Sequence, residues 1–253
     1  DKDFSDAVYG IEEDGRYVTE SRLKKMLSHE VSLIEKRLSR DKHPNKMFFS
    51  YANTVATIDF AKQFKGHGWV GISFQIEPDE AYNEIILHIR FKETDSRLQQ
   101  ETLGILGVNL IYGAYYKYND PKKLLRYLYD HLDKDQLEID TINFSGPRFA
   151  DVDNRLMSLQ LVKNGMTDAV MFNPEGKNIL PAAILYKKNL LAFRGSFRPV
   201  TKVNMDMYEK SLKMFLNENK VEKENTLVIF EITLSNLRSD GEIDERDFMD
   251  RAE

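Results

Sequence analysis

Three cations crowd one short stretch of an otherwise acidic chain. Within residues 190–215 an apolar run ends at Gly195, Arg194 stands just before that glycine and Arg198 and Lys202 in the loop after it, and Met205, Tyr208, Leu212 and Phe215 recur at helical spacing. The run from Leu190 to Phe193 is short and apolar, which reads as a buried strand closing in a glycine turn. Asn204 is placed to cap the next helix, which then starts near Met205 and faces its free backbone N–H groups toward the loop. Helix N-termini combine such donors with partial positive charge, so the stretch is suited to holding an anion.

The residues Gly195, Ser196, Phe197, Arg198, Pro199, Val200, Thr201, Lys202, Val203 and Asn204 resemble the first strand-loop-helix of the nucleotidyltransferase superfamily, whose pattern reads G-x-F-x-P-[VI]-[HT]-x-G-H. More widely, the chain resembles a bacterial group labelled nicotinate mononucleotide adenylyltransferase. That group is also labelled TonB-dependent receptor, but the sequence shows no serial alternating strands with aromatic girdles. The resemblance implies adenylyl transfer from ATP to a pyridine mononucleotide, toward NAD synthesis, with Mg2+ accompanying the ATP. It places Thr201 and Asn204 at catalytic positions and Gly195, Ser196, Phe197, Arg198 and Lys202 around the nucleotide. In that chemistry a substrate phosphate attacks the α-phosphate, and the protein stabilises charge in the transition state. Two positions depart from the pattern: Val203 stands where it has glycine, and Asn204 where it has the second histidine.

Bulk properties narrow the classes. The chain has 253 residues, 30% charged and 42% hydrophobic, with a formal net charge of −5, enough length for one large domain or two smaller ones. No apolar run is long enough for a membrane span or a signal-peptide core. Absence of cysteine removes disulfides, thiolate catalysis and Cys-type zinc sites, and fits a cytoplasmic protein. The negative balance argues against a generic nucleic-acid binder. The chain opens on Asp1 and closes inside a helical pattern with Phe248 and Met249, so the C-terminal part reads as truncated.

Along the chain, Leu23, Met26, Leu27, Val31, Ile34 and Leu38 mark an amphipathic helix over residues 19–40. The alternating runs at 69–76 and 84–91 predict an antiparallel hairpin. His67, between glycines, imitates the tail of H-x-G-H but precedes a strand, and His88 reads as a sheet-face residue. Residues 97–116 predict a buried helix with Leu103, Leu106, Leu110 and Ala114 on one face; Tyr112, Tyr115, Tyr116 and Tyr118 either floor a base-stacking surface or belong to core or subunit interface. Asp120 and Pro121 then open a further helix.

From residue 137 onward, strand-like runs at 137–145, 168–172, 190–193 and 227–234 alternate with helical patterns. This predicts an α/β fold: a parallel strand-helix layer over residues 134–253, beside a mixed α+β part over residues 1–133. Ligands of parallel sheets bind beyond the carboxyl ends of the strands. The loops there would gather Arg148, Lys177, Arg198, Lys202 and Arg238, a set fitted to phosphate or carboxylate. Two readings stay open: an adenylyltransferase, and a noncatalytic module that binds a nucleotide or phosphate ligand. A homo-oligomer stays open as well.

Overall fold

The structure, a computed structural model, describes residues 2–10, 16–38, 42–59, 65–238 and 241–252; Ser39 and Arg40, the end of the helix expected over residues 19–40, lie outside them. The chain is a mixed α/β protein that divides into two compact units, Asp1–Val170 and Met171–Glu253.

The first unit begins with α1 (Lys2–Tyr9) and α2 (Glu20–Arg37). Thr19 caps α2, its side chain accepting from the Arg22 N–H, as a threonine before an apolar-periodic run should. Four strands follow in an antiparallel sheet of order β1-β2-β3-β4: β1 (Phe49–Ala56), β2 (His67–Phe74), β3 (Asn83–Phe91) and β4 (Leu137–Ser145). Between β3 and β4 the chain forms α3 (Ser96–Tyr116) and α4 (Pro121–Tyr127), and α5 (Asn154–Lys163) comes after β4. The caps of α3 and α4 are Asp95 and Asp120, with Pro121 in the first turn of α4, where its missing N–H costs nothing.

One face of this sheet carries the core. Val70, Ile72, Phe74, Ile85, Leu87, Ile89, Leu137, Ile139, Ile142 and Phe144 meet Leu106 and Leu110 of α3, Leu124 and Leu125 of α4, and Met157 and Leu161 of α5. Each such side chain, fully buried, contributes roughly 1.5–3 kcal/mol. α3 lies close enough to β1 that a Cβ at Gly107 would sit 2.7 Å from the Tyr51 hydroxyl. Across the opposite face Leu23 and Leu27 of α2 approach Gly71, where a Cβ would be 3.0 Å from Leu23.

β4 pairs antiparallel with β3, with a register shift between His88 and Ile89: Ile139 faces Ile89, Thr141 faces His88, and Asp140 is the extra residue of a β-bulge. The outer edge of β4 is partly satisfied. Asn154 accepts from the Phe144 N–H at 2.8 Å and donates to its carbonyl at 3.0 Å, while the Ile139 N–H reaches the Met166 carbonyl.

This corrects the expectation that β4 opens a parallel layer, and with it the boundary between residues 133 and 134: β4 and α5 belong to the first unit. β3 claims β4 because the two present matching apolar faces to the same helices, a pairing between segments remote in sequence that alternation of elements cannot reveal.

The second unit contains a short antiparallel pair, β5 (Met171–Phe172) and β6 (Asn178–Ile179), then α6 (Pro181–Leu185). A strand-helix-strand unit follows: β7 (Asn189–Arg194), α7 (Lys202–Phe215) and β8 (Thr226–Glu231), with β7 and β8 parallel. α8 (Leu234–Leu237) and α9 (Glu245–Ala252) close it. The predicted parallel layer is thus confined to β7 and β8. No helix among the described residues is long and apolar enough to cross a membrane.

Candidate functional site

Residues 195–204 link β7 to α7. Gly195 prolongs the parallel ladder, its N–H donating to the Glu231 carbonyl at 3.1 Å. The ring of Phe197 folds over it, so that a Cβ at position 195 would lie 3.1 Å from the ring. Phe197 has φ +47, a left-handed conformation that costs a bulky residue about 1–2 kcal/mol. Its ring meets Phe230 edge-on at 5.6 Å, and Phe230 stacks on Phe193 at 5.7 Å beside Tyr208. Phe230 is still 57% exposed, so the cluster keeps an aromatic face open to solvent.

The charges around the loop are organised by α9. Arg198 Nε lies 2.8 Å from one oxygen of Asp247, and Arg251 holds the other at 2.5 Å while donating to the Ser196 carbonyl at 3.3 Å. Two guanidiniums on one carboxylate leave a net positive charge, and the exposed Lys202 adds another. The Arg251 side chain is only 3% exposed, and its Nε has no hydrogen-bond partner among the described residues. Buried donors normally find one. Arg194 turns instead to Glu231, at 2.9 Å.

The helix start differs from the sequence expectation. Thr201, not Asn204, is the N-cap, and α7 begins at Lys202. Asn204 is the third helical residue and closes a capping box: its Oδ1 accepts from the Thr201 N–H at 2.8 Å and from the Thr201 hydroxyl at 2.7 Å, and its N–H donates to that hydroxyl at 3.3 Å. The two residues given catalytic positions therefore brace each other. The side chain of Val203 is outside this knot and 66% exposed.

The remaining sequence-predicted cations are dispersed. Arg238 is exposed just after α8, which follows β8, so it shares with residues 195–202 the carboxyl end of the parallel pair. Lys177 lies in the β5–β6 turn, its N–H donating to Asn173 at 2.8 Å. Arg148 belongs to the first unit, where Glu80 and Glu77 hold its guanidinium at 2.6 and 3.0 Å; these hydrogen bonds raise its pKa. The four predicted loops do not line one parallel sheet, because only β7 and β8 form one.

Sequence reasoning missed Asp247, Arg251 and Phe230. Asp247 and Arg251 stand four apart in a helical pattern, a legible ion pair, but nothing local ties them to residue 198. The tyrosine set also divides. Tyr115 turns inward against Phe49 and Phe74, whereas Tyr112 stacks on Tyr116 at 4.5 Å and approaches Tyr127 at 5.0 Å, with the Lys117 ammonium 5.0 Å from the Tyr127 ring centre. Beside them Lys117, Lys123, Arg126, Tyr127, Tyr129 and Asp130 line an open cavity of about 390 Å³.

The donors near residues 195–204 do not fit a resident Mg2+. Asp247 is held between two arginines, and among the described residues no group of at least three carboxylate or imidazole side chains converges to hold a cation. Any Mg2+ would arrive on the phosphates of a ligand. Compared with protein-family models, curated proteins and solved structures, the chain matches none of them, and its functional reading rests on this geometry.

Proposed function

We propose that the second unit, Met171–Glu253, is a nucleotide-binding module, without catalysis of its own, whose site is the carboxyl end of the β7–β8 pair. The supporting observation is Arg251: a guanidinium 3% exposed, with an unpartnered Nε, beside a loop that also carries Arg198 and Lys202. Arginine forks match phosphate oxygens, and the exposed Phe230 beside Phe197 supplies a stacking surface for a base. A phosphate would compete with Asp247 for the two guanidiniums. Adenylyl transfer is the weaker reading because Thr201 and Asn204 are spent on the capping box, leaving the loop to bind charge rather than to stabilise its movement.

Titration calorimetry with ATP, NAD and nicotinate mononucleotide, each with Mg2+, tests this. Saturable binding is expected, weakened about tenfold or more in Arg198→Ala and Lys202→Ala, with Asn204→Ala binding nearly as the parent does. Loss of binding in Lys117→Ala with Arg126→Ala instead would move the site to the α3–α4 cavity. Transfer of adenylate that disappears in Asn204→Ala would establish the enzyme in place of the module, and absence of binding by every ligand would end the nucleotide reading.

A further inference from the structure

Three ionisable side chains from three neighbouring strands of the first unit stand in line. Asp140 Oδ1 lies 2.7 Å from His88 Nδ1, and His88 Nε2 lies 3.2 Å from Nδ1 of His67. His88 and Asp140 are 2% and 7% exposed; His67, at the open end, is half-buried. The edge of Trp69 packs on His88, ring centres 4.9 Å apart. A buried His–Asp pair alone would be ordinary core bonding. What sets this row apart is that it continues to a third, half-buried group, and that its acid is supplied by a bulge residue inserted into an otherwise regular strand. Bulges re-aim side chains in this way near functional sites.

The hydrogen bonds assign the tautomers. Asp140 can only accept, so His88 donates from Nδ1 and offers the Nε2 lone pair; His67 donates to it from Nδ1 and keeps a lone pair on Nε2. We propose that Asp140, His88 and His67 form a proton relay in which His67 Nε2 is the general base of a hydrolytic site for anionic phosphoesters.

Arg90, the register partner of His67, is exposed on the same sheet face and supplies the cation for a non-bridging phosphate oxygen. In the step, a water gives one proton to His67 Nε2 as its oxygen bonds to phosphorus. The bond from phosphorus to the leaving oxygen breaks on the opposite side, that oxygen taking the electron pair and leaving as the anion to be protonated by solvent, while His67 returns its proton to solvent. The imidazolium present between these transfers is stabilised through His88 by the Asp140 carboxylate, the orienting role an acid plays behind a histidine base.

Burial, then the neighbouring His88, holds His67 below the usual histidine value; Arg90 acts in the same direction and Asp140 against it. Among the described residues, the charged or titratable groups acting on His67 are His88 and Arg90 of β3 and Asp140 of β4, with Glu138 opposite Arg90 in register; β1 presents the uncharged Thr54 and Ala56, and the segment before α2 crosses the same face, its Tyr17 carbonyl accepting from Thr54. The base is therefore in its neutral, proton-accepting form at neutral pH.

Hydrolysis of bis(p-nitrophenyl) phosphate by the full chain tests the proposal. The expected rate rises with pH to a plateau, with an inflection below the ordinary histidine value. His67→Gln should lower kcat about 100-fold or more, Asp140→Asn should lower kcat and displace the inflection, and Arg90→Ala should raise KM while leaving the inflection in place. Release no faster than buffer, or release indifferent to His67→Gln, overturns the proposal. Independently of any variant, long-range proton–nitrogen spectra of the imidazoles should show Nδ1–H on both His67 and His88; Nε2–H on His67 would overturn it as well.

Discussion

At the scale of single residues, the capping box and the half-buried His67 make separable claims. Asn204→Ala removes the acceptor for the Thr201 N–H and should destabilise α7 by about 1 kcal/mol, read as a lower urea midpoint. His67 makes stability depend on acid. Its folded pKa lies below the 6.5 of the unfolded chain, so between the two values the unfolded state binds more protons. Stability is full above the unfolded value and falls as pH drops through that window; urea midpoints at about pH 7.5 and 5.5 should show the loss, and His67→Gln should flatten it. Arg198 and Lys202 were legible as cations before a helix, but the cap was read three residues late, at Asn204 instead of Thr201, because both residue types can cap. The bulge had a signal too: Ile139 and Ile142 are three apart in a strand whose other inward residues are two apart, the mark of an inserted residue.

Among elements, α3 was the most readable: of the face Leu103, Leu106, Leu110 and Ala114, the last three are fully buried and Leu103 packs against the core partly buried. Its outer face still carries Ile105, Val108, Tyr112 and Tyr116 in exposed positions, which a count of apolar residues could not separate from the inner face. β4 was read correctly as a strand and wrongly as a member of a parallel layer, because a strand's own residues fix its two faces but not its neighbour. At Phe144 the edge that results is met by one side chain, that of Asn154. Asn154→Leu would leave the Phe144 N–H and carbonyl without this partner and should cost about 1–3 kcal/mol, measured by thermal unfolding, whereas Asn154→Asp should restore only the bond from the N–H.

For the whole molecule, the two units differ in how much core they own. Every residue of the main apolar cluster lies in Asp1–Val170. In Met171–Glu253 the buried apolar side chains are Leu237 and Phe248 among the described residues, while Leu190, Met205, Met207 and Phe230 are exposed. A fragment of residues 1–170 should therefore unfold in one cooperative thermal transition, and a fragment of residues 171–253 should show none; calorimetry of the two, produced separately, checks both. Composition could not disclose this imbalance, because both parts are comparably rich in leucine, isoleucine and phenylalanine. What differs is how many layers each builds over its strands.

The bulge in β4 also bears on how the gene can change. Excising the codon for Asp140 would join Ile139 directly to Thr141, and the ladder with β3 would run without interruption, with Leu137, Ile139, Ile142 and Phe144 still inward. Loss of one residue from a buried strand ordinarily reverses every side chain beyond it; here the strand would fall into a simpler phase. A chain lacking Asp140 should melt cooperatively and, on the proposed role of this acid, show lowered hydrolysis, so that a plain four-stranded sheet and one with an acid behind its histidines differ by one residue.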